Sequence, residues 1–389
     1  MRRMDLVKEL RALVRGEVED AEETLLRCSR DWSLFQVKPK VVVFPKDEKD
    51  VESLVSFASA NHVSLTCRSG GSDMTGGPLS DSIVLDMQKY FGDIKEIGRD
   101  FAIVQPGVWY RDFEKETLKH SLILPSYPAS KDLCTLGGMI ANNAGGEKSL
   151  IYGKTDRYVK ELRVVLADGK THALHPLSKK ELEAKKLEQG FEGSIYSKLH
   201  ALIEENGEAI RQAAPKVSKN SSGYALWNVW DGETFDLTKL FTGSQGTLGI
   251  ITQARLSLVP PEKHSALLVI FLNDLSDLAH IVERVLEKKP ESFECYDDRA
   301  LKLALRFLGD FLHILKLSNI FSLVWQFLPE FKMFLFGGLP KLVLLAEFTG
   351  DSFPHARKKA QDAAQDLAGF HISLRVTKNQ EEEEKYFAI

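Results

Sequence analysis

Apolar positions follow first a helical and then an extended spacing along the amino-terminal part of the chain. Periodic apolar residues predict helices, and short β-branched runs bounded by Pro or Gly predict buried strands. Asp47 is a suitable N-cap for the central helix of this region. The predicted elements are one or two helices within 4–28, a strand at Val41–Phe44, a helix over Lys49–Asn61, and strands at Val63–Cys67 and Ile83–Leu85. This order predicts an α/β-type unit.

The alternation continues through predicted strands at Ala102–Val104, Arg163–Ala167 and Ile250–Val259. Pro260-Pro261 then interrupts the pattern and predicts a domain boundary. Beyond it, the sequence predicts a smaller α+β layer with strands at Leu267–Leu272 and Leu342–Phe348 and a helix over Leu275–Glu287. The predicted organisation is an N-terminal helical segment (1–35), a main domain (36–261) and a partial second domain (262–389).

Two carboxy-terminal segments have unusual composition. Ala300–Phe336 is strongly apolar and favours helices packed into the second domain, with an interfacial helix pair on a membrane as the alternative. Its longest charge-free run, Leu317–Pro329, is 13 residues, shorter than the roughly 18 that predict a membrane-spanning helix. The run QEEEEK at 380–385 is interpreted as a solvated charge cluster.

Composition and charge limit the class of protein. The 389 residues are 43% hydrophobic and 27% charged, which is typical of a globular chain with more than one domain. The net charge of −4 argues against a nucleic-acid partner, which would need a basic face. The four cysteines form no C-x-x-C pair, and the amino terminus lacks a secretory pattern. We therefore expect a reducing, cytoplasmic location, with peripheral attachment to the inner face of the membrane left open.

Three glycine-rich segments are the candidates for chemistry. The first, RSGGSDMTGG at Arg68–Gly77, follows a predicted strand. Glycines permit positive φ, so successive amides can point into one concavity that binds an anion such as phosphate. Taken alone, this segment fits a phosphate-binding loop and a long glycine-rich turn equally well.

The second segment, TLGGMIANNAGG at Thr135–Gly146, consists mainly of small residues and two asparagines. Such a segment allows a flat ligand to approach the backbone, although a tightly packed strand-to-helix junction is the favoured interpretation in isolation. The third segment, GSQGTLG at Gly243–Gly249, precedes a predicted strand and indicates close approach of a ligand or of a neighbouring chain segment.

Two familiar nucleotide-binding patterns are absent. No G-x-G-x-x-G follows a strand and opens a helix, which argues against a Rossmann dinucleotide site. Gly153-Lys154-Thr155 resembles the end of a P-loop, but the glycine required five residues before Gly153 is replaced by Lys148. The sequence therefore does not predict an NTPase.

The three segments, together with KNSSGYAL at 219–226 and in this order, resemble the FAD-binding domain of the vanillyl-alcohol oxidase / p-cresol methylhydroxylase (PCMH) superfamily. The likeness covers residues 29–260 and is greatest to the group of D-lactate dehydrogenases and glycolate oxidase FAD subunits. It implies an α+β protein: a PCMH-type FAD-binding domain of two α/β subdomains, followed by an incomplete α+β (ferredoxin-like) cap domain. The implied reaction is oxidation of a small D-2-hydroxy acid by hydride transfer to FAD.

The resemblance also implies roles for particular residues. The pyrophosphate of FAD would lie on Ser69, Gly70, Gly71, Ser72 and Asp73, with Arg68 beside them. The flavin and ribityl chain would lie along Thr135, Gly138, Asn142, Ala144 and Gly145, with Pro128 approaching the ring and Tyr152 and Gly153 closing the segment. The adenine end would lie by Gly246, Ile250 and Ile251. Ser72 occupies the position at which some members carry a covalently bonded histidine, so non-covalent FAD is expected.

Several side chains have competing interpretations. Arg68 fits phosphate binding and a structural ion pair equally well. Tyr224 matches a segment on the substrate side of the flavin, but a buried tyrosine bonded to backbone is equally compatible. His172 and His175 have the spacing of a two-His metal site without an acidic third ligand nearby, so a solvent-exposed hairpin edge is favoured over a metal site.

The sequence departs from the resemblance in one respect. Relatives carry a later segment with a G-D-G-N-x-H-like motif that supplies the catalytic base, and this pattern occurs nowhere in the chain. The catalytic residue is therefore not assigned, and the alternative function is a truncated flavin-binding module that needs the missing segment or a partner chain. A third interpretation keeps the FAD domain with other chemistry, as in alkyl-glycerone-phosphate synthase or the enolpyruvyl-sugar reductase. The electron acceptor is left open among a quinone, an electron-transfer protein and oxygen.

Overall fold

The computed structural model describes residues 3–217, 219–307 and 338–387. The chain divides into two compact units: Met1–Gly146 with Tyr152–Pro260, and Glu147–Ile151 with Pro261–Ile389. The segment 147–151 thus belongs to the second unit, although the chain on both sides of it belongs to the first. The combination of sheets and helices in both units confirms the predicted α+β class.

The first unit opens with a mixed sheet. Its elements are α1 (Arg3–Leu13), β1 (Glu17–Glu19), α2 (Glu22–Cys28), β2 (Val41–Phe44), α3 (Glu48–Asn61), β3 (Leu65–Arg68) and β4 (Ile83–Asp86). The strand order is β1-β2-β4-β3, in which β2 and β3 both run parallel to β4. Asp47 caps α3 as predicted, because its side chain accepts hydrogen bonds from the amides of Lys49 and Asp50. The long loop after β3 therefore leaves the sheet at the carboxyl end of a parallel strand, where ligands commonly bind in open α/β sheets.

The sequence pattern did not reveal β1. Residues 4–28 predicted helices alone, but Glu17–Glu19 pair antiparallel with β2 between α1 and α2. A three-residue strand is too short to produce a readable alternation. Tertiary contacts form it: the buried carboxylate of Asp50 accepts the amides of Arg15 and Gly16, each at 2.9 Å, and holds the chain against the sheet.

A five-stranded antiparallel sheet forms the rest of the first unit. The elements in this stretch of the chain are β5 (Ile94–Ile97), β6 (Phe101–Val104), α4 (Tyr110–Leu118), α5 (Leu136–Ala141), α6 (Ser149–Tyr152), β7 (Val159–Val165), β8 (Thr171–Leu174), β9 (Leu177–Ser178), α7 (Lys179–Leu187), α8 (Phe191–Glu205), α9 (Gly207–Ala213), β10 (Thr234–Phe235), α10 (Thr238–Phe241) and β11 (Ile250–Ser257), of which α6 belongs to the second unit except for Tyr152. The order is β5-β6-β11-β7-β8, and β9 and β10 form a separate two-stranded pair. Buried side chains from the sheet, α4 and α5 form one continuous core, so α5 is fixed against the sheet.

The second unit has a β-α-β-β-α-β pattern with a further helix after its second strand and another after its fourth. Its elements are β12 (His264–Leu272), α11 (Leu278–Glu287), β13 (Ser292–Asp297), α12 (Asp298–Arg306), β14 (Leu342–Gly350), α13 (Phe353–Asp366), β15 (Ser373–Val376) and α14 (Gln380–Phe387). The antiparallel order β13-β14-β12-β15 is that of a ferredoxin-like sheet. Residues of α11 and α13, such as Ile281 and Ala360, pack on one face of it.

The interpretation of QEEEEK as a solvated charge cluster was wrong. These residues form α14, and within it Glu383 and Tyr386 are buried. Glu383 accepts a hydrogen bond from the Ser265 hydroxyl at 2.6 Å, so a polar contact from β12 satisfies one of the buried acids. Most of the apolar stretch Ala300–Phe336 lies outside the described residues, which reach Phe307 before resuming at residue 338. No helix in the described ranges is long and apolar enough to cross a membrane.

A buried charged cluster lies inside the second unit. Lys148 forms an ion pair with Glu291, which is 1% exposed. Glu347 is nearby, accepts a hydrogen bond from the Ser292 hydroxyl at 3.0 Å, and has its pKa raised by burial. Burial alone would lower the pKa of Lys148, but the carboxylates of Glu347 and Glu291 outweigh this effect and raise it. Two carboxylates therefore keep Lys148 protonated: that of Glu291, which forms an ion pair with it, and that of Glu347, which acts from nearby.

Candidate functional site

The first glycine segment is fastened to the second at its amino-terminal end. The Ser69 hydroxyl donates to the carbonyl of Pro106 at 3.1 Å and shares a hydrogen bond with the Thr135 hydroxyl. The amide of Gly70 also donates to Thr135 Oγ1, at 3.3 Å. A Cβ atom at position 70 would lie 2.8 Å from the carbonyl oxygen of Leu133, so only glycine permits this approach. Two segments that are remote in sequence therefore meet at Thr135.

Beyond Gly70 the loop leaves backbone donors unused. Gly71 has a φ of +65°, the left-handed conformation that turns successive amides toward one side. In the described part of the chain, the amides of Gly71, Ser72 and Asp73 donate no hydrogen bond. All three residues are only partly exposed. Free amides in a half-buried concavity are the donors that a phosphate group requires.

Asp73 braces the loop from within. Its carboxylate accepts the amide of Gly77 at 2.6 Å and both the amide and the hydroxyl of Thr75. The backbone carbonyl of Asp73 also accepts the amide of Trp32 at 2.9 Å. The negative side chain is therefore occupied by the loop itself, and the donor that Asp73 leaves without a partner in the described residues is its amide.

Arg68 lies directly beneath the loop. Its guanidinium is so close to Gly71 that a Cβ atom there would lie 2.3 Å from Nη2. Arg68 is 9% exposed and pairs with no acid in the described residues, and its buried Nη1 has no hydrogen-bond partner among them. The structural ion pair is therefore not observed, and a buried cation adjoins the free amides.

The second segment presents a smooth face of small residues. Gly137 is packed inward, where a Cβ atom would lie 2.5 Å from a side-chain carbon of Pro106. Gly138 is partly exposed, and a Cβ atom there would meet only Thr135 Oγ1, at 3.5 Å. The amide of Asn142 is used by the carbonyl of Gly138 within the turn. The face that includes Gly138 therefore has room for a flat group.

The third segment closes onto the second. The amides of Gly243 and Gln245 donate to the carbonyls of Ile140 and Ala141, each at 2.9 Å, and Gln245 Nε2 donates to Asn142 Oδ1 at 3.0 Å. Gly246 has a φ of +74° and no atom near its Cβ position, so its surface is open. Ile250 is buried in the core that includes β2 and β4, and Ile251 packs against the core of the five-stranded sheet, so both side chains are used in packing.

The remaining predicted residues form the back of the second segment. A Cβ atom at Gly146 would lie 3.1 Å from the α-carbon of Pro128, which places Pro128 against the end of this segment. The carbonyl of Ala144 accepts the amide and hydroxyl of Thr155, and Gly145 is partly exposed beside it. Gly153 has a φ of +73°, and the carbonyl of Tyr152 accepts the Tyr158 hydroxyl at 2.9 Å.

Tyr224 is 45% exposed, so the interpretation of it as a buried tyrosine was wrong. Its hydroxyl shares a hydrogen bond of 2.8 Å with Thr247 Oγ1 in the third segment. In the same stretch of chain, Ser221 Oγ donates to the carbonyl of Asn143 at 3.2 Å. The segment 219–226 therefore crosses from the second glycine segment to the third and leaves the Tyr224 ring at the surface.

Two residues that were not among the predicted site residues hold these segments together, although the two asparagines of the second segment had been noted in the sequence. Asn143 is buried with a φ of +47°, and its Oδ1 accepts the amide of Asp156 at 3.0 Å. Gln245 also has a positive φ, of +56°. Asn tolerates this conformation better than most residues, so the Asn-Asn pair before Ala144 was a usable signal. The sequence offers no comparable signal for Gln245.

His172 lies on β8, an edge strand of the five-stranded sheet as predicted, and His175 is exposed, but the His172 side chain is not solvent-exposed as was favoured. Its Nε2 is 3.1 Å from Asp168 and its Nδ1 is 3.0 Å from Glu192, and its side chain is 10% exposed. Glu192 comes from α8, which the local pattern around the Asp168-Gly169 turn does not reveal. Within the described residues, no group of three His, Cys, Asp or Glu side chains is placed to hold a metal ion.

Comparison with known proteins also indicates an FAD-binding domain. Residues 39–175 match the family described as FAD binding domain. The chain is 28% identical to a D-2-hydroxyglutarate dehydrogenase of Pseudomonas putida over 91% of this chain and 34% of that protein. It is 30% identical to the glycolate oxidase subunit GlcD of Bacillus subtilis over 69% of this chain and 47% of that protein. The chain therefore spans between a third and a half of the length of these relatives.

A solved structure of an alkyldihydroxyacetonephosphate synthase shares the fold. It superposes with a TM-score of 0.68 at 18% identity, covering 100% of this chain and 63% of that one. The residues present fit FAD by two observations: free amides beside the buried, partnerless Arg68 Nη1 suit a diphosphate, and the open surface at Gly138 suits a planar ring. The expectation of FAD as the cofactor is confirmed, while the residue-by-residue roles remain predictions.

Proposed function

We propose that the protein acts as an FAD-dependent oxidoreductase on a small D-2-hydroxy acid, since residues 39–175 match the family described as FAD binding domain. The observation that carries this proposal is the convergence of three glycine segments around Thr135 and Asn142. The names of the relatives support the substrate class, since one is a D-2-hydroxyglutarate dehydrogenase and another a glycolate oxidase subunit. The activity is proposed for the whole protein, because this chain spans only part of the length of its relatives.

The proposed division of roles follows the donors of the site. The amides of Gly71, Ser72 and Asp73, with the Arg68 guanidinium, hold the diphosphate. The face containing Gly138 and Asn142 takes the isoalloxazine ring. FAD bound there supplies a two-electron acceptor for the hydrogen on the hydroxyl-bearing carbon. The protein's own task is to orient that carbon and to exclude water from it.

Oxidation of a 2-hydroxy acid also requires a cation for its carboxylate and a base for its hydroxyl proton. Among the residues predicted from the sequence, Tyr224 is the candidate on the substrate side, where its hydroxyl could donate to the carboxylate. No described residue is assigned as the base. A second candidate function is a flavin-binding module that turns over only together with a further segment or a partner chain that supplies the base.

An anaerobic titration separates the two functions. Purified yellow protein is mixed with D-lactate, glycolate or D-2-hydroxyglutarate, and the L-enantiomers serve as controls for the chiral acids. The hydroxy-acid oxidoreductase predicts loss of the yellow band with at least one acid. Bleaching by dithionite but by none of the acids would support the inert module, and bleaching by L-acids alone would contradict the stereochemical proposal.

The electron acceptor can be identified from the oxidative half-reaction, in which the reduced flavin is reoxidised. We propose a cytoplasmic or membrane-peripheral enzyme that passes electrons to a quinone, an electron-transfer protein or oxygen. Mixing the reduced protein with each acceptor and timing the return of the yellow band ranks them. Rapid return in air would assign oxidase behaviour, and a return seen only with a quinone would support the peripheral location.

A further inference from the structure

Lys154 is a half-buried cation that none of the roles described above uses. Among the described residues, its ammonium group forms neither a hydrogen bond nor an ion pair. Burial lowers the pKa of Lys154, the Asp156 carboxylate acts in the opposite direction, and the Lys219 ammonium lowers it further. A charge that is partly removed from water without a partner costs free energy, which an anionic ligand can return.

The chain around Lys154 is fixed to the second glycine segment. Thr155, the next residue, donates its amide to the Ala144 carbonyl at 3.0 Å and its hydroxyl to the same carbonyl at 2.8 Å. The amide of Asp156 donates to Asn143 Oδ1 at 3.0 Å. The backbone of Lys154 therefore lies beside Ala144, one of the residues predicted to lie along the flavin.

Lys219 reaches the same place from another part of the chain. It is exposed, and within the described ranges its ammonium group also has neither a hydrogen bond nor an ion pair. Two residues further on, Ser221 Oγ donates to the carbonyl of Asn143 at 3.2 Å. Asn143 thus joins the stretches that carry Lys154 and Lys219, one through its side chain and the other through its carbonyl. The stretch with Lys219 also contains Tyr224, the candidate on the substrate side.

The nearby acid does not neutralise these two lysines. The Asp156 carboxylate acts on Lys154, but it acts on Lys239 as well. Lys239 has oxygen partners of its own, since its Nζ donates to the Asp156 carbonyl and lies 3.9 Å from the Asp236 carboxylate. Positive charge is therefore in surplus at Lys154 and Lys219, although the chain as a whole has a net charge of −4.

We propose that Lys154 binds the carboxylate of the 2-hydroxy acid, with Lys219 adding a second positive charge at the rim of the site. This inference rests on the proposed function, which requires a cation for that carboxylate. A hydrogen bond from an ammonium to a carboxylate is roughly twice as strong as one between neutral groups. The place of Lys154 beside Ala144 brings the bound acid next to the face proposed for the isoalloxazine ring, where the hydroxyl-bearing carbon must lie.

Oxalate tests this site without turnover, because it is a small carboxylate anion with no hydrogen for the flavin to accept. Equilibrium dialysis measures its binding to the full chain at an ionic strength of about 0.15 M, which screens distant charges. Lys154→Gln is expected to weaken oxalate roughly tenfold, and Lys154→Arg to restore most of the affinity. FAD affinity and the unfolding temperature should stay unchanged in both variants.

Lys160→Gln is the matched control for the loss of one charge. Lys160 is exposed and its Nζ donates to the Arg157 carbonyl at 3.3 Å, so this variant should bind oxalate as wild type does. Equal losses in Lys160→Gln and Lys154→Gln would attribute the effect to the general field and overturn the proposal. A weaker affinity for FAD in Lys154→Gln with normal oxalate binding would assign the lysine to the cofactor and also overturn it.

Two further outcomes separate this site from the proposed reaction. A lower unfolding temperature of Lys154→Gln without ligand would reveal a structural role and contradict the binding role. Wild-type protein that does not bind oxalate rejects the anion site, whatever the hydroxy acids do to the flavin. Oxalate binding that depends on Lys154, together with a flavin that no hydroxy acid bleaches, supports the anion site and rejects the oxidation.

Discussion

Gly70 and Leu133 approach each other so closely that a methyl group on Gly70 would lie 2.8 Å from the Leu133 carbonyl oxygen. This contact sets the distance between the first and second glycine segments, because the Gly70 amide simultaneously donates to Thr135 Oγ1. The separation of the two segments, and hence the geometry of the proposed cofactor site, depends on the absence of a side chain at position 70.

We therefore expect Gly70→Ala to push the first segment away from the second. Backbone atoms lie on the other side of the contact and move reluctantly, so the free energy of unfolding should fall by about 1–3 kcal/mol, as in overpacked cores. FAD affinity should fall as well. Chemical unfolding of the variant, with flavin fluorescence as a second probe, measures both quantities.

Gly138→Ala is the matched control for that variant. A Cβ atom at position 138 meets only Thr135 Oγ1 at an ordinary 3.5 Å, and alanine favours a helix over glycine. Stability without cofactor should therefore stay equal or rise, while FAD binding weakens because the new methyl group occupies the face proposed for the ring. FAD affinity equal to that of wild type would place the ring elsewhere.

FAD is predicted to be released when the protein is denatured. Position 72 carries Ser rather than the histidine through which some members of the family that the sequence resembles bond their FAD covalently. The amide of Ser72 has no hydrogen-bond partner in the described chain. Acid precipitation should give a yellow supernatant and a colourless pellet, and a denaturing gel should show no fluorescent band. Colour retained in the pellet would reveal a bond to some other residue.

Replacing either of two buried acids of the second unit by a neutral residue should change the stability of the protein, and the two changes should have opposite signs. Glu291 is paired with Lys148, so Glu291→Gln leaves a buried ammonium without its partner and should cost about 3 kcal/mol. Burial raises the pKa of Glu347 above its ordinary 4.5. A raised carboxyl pKa means that protonation favours the folded state: this stability is full below the ordinary pKa and is lost as pH rises through the raised one.

Glu347→Gln should therefore raise the unfolding temperature at neutral pH and have little effect at acidic pH. Melting curves of both variants over a series of pH values test the pair. If Glu347→Gln destabilises the protein at neutral pH, the Glu347 carboxylate is a net stabilising partner of Lys148 and our assignment of signs is wrong.

The Tyr224 hydroxyl is predicted to donate to the substrate carboxylate in place of Thr247 Oγ1, to which it donates in this structure because the Thr247 proton is given to the Ser244 carbonyl. Tyr224→Phe and Thr247→Val both remove the 2.8 Å hydrogen bond between these side chains. Thr247→Val also removes the hydrogen bond from Thr247 Oγ1 to the Ser244 carbonyl, so a purely structural Tyr224 hydroxyl predicts an effect of Tyr224→Phe no larger than that of Thr247→Val. A substrate contact predicts a several-fold higher KM for the hydroxy acid in Tyr224→Phe alone, with FAD affinity unchanged in both variants. Steady-state kinetics with an artificial acceptor distinguish these outcomes.

The sequence alone determined the features that depend on a few neighbouring residues. Asp47 could be identified as an N-cap because capping is a contact between a side chain and amides two and three residues away. The strand at Val41–Phe44 was predicted with its observed bounds because four adjacent apolar residues are buried on both faces. The glycine segments were recognisable because positive φ and close approach are restrictions on the residue itself. These local signals indicated a mixture of helices and strands and marked the three segments, whereas FAD was implied by the resemblance that their order carries.

Only the tertiary structure decided which atoms of those segments remain free. The Asp73 carboxylate accepts the amide of Gly77, whereas the amides of Gly71, Ser72 and Asp73 donate no hydrogen bond in the described chain. Contacts such as Asn142 with Gln245 join residues 103 positions apart. Hydrophobic periodicity and turn chemistry contain no information on such pairs, because the partner is chosen by packing of whole elements. For the same reason, the lack of a partner for Lys154 among the described residues and the burial of Glu291 could be seen only in the folded chain.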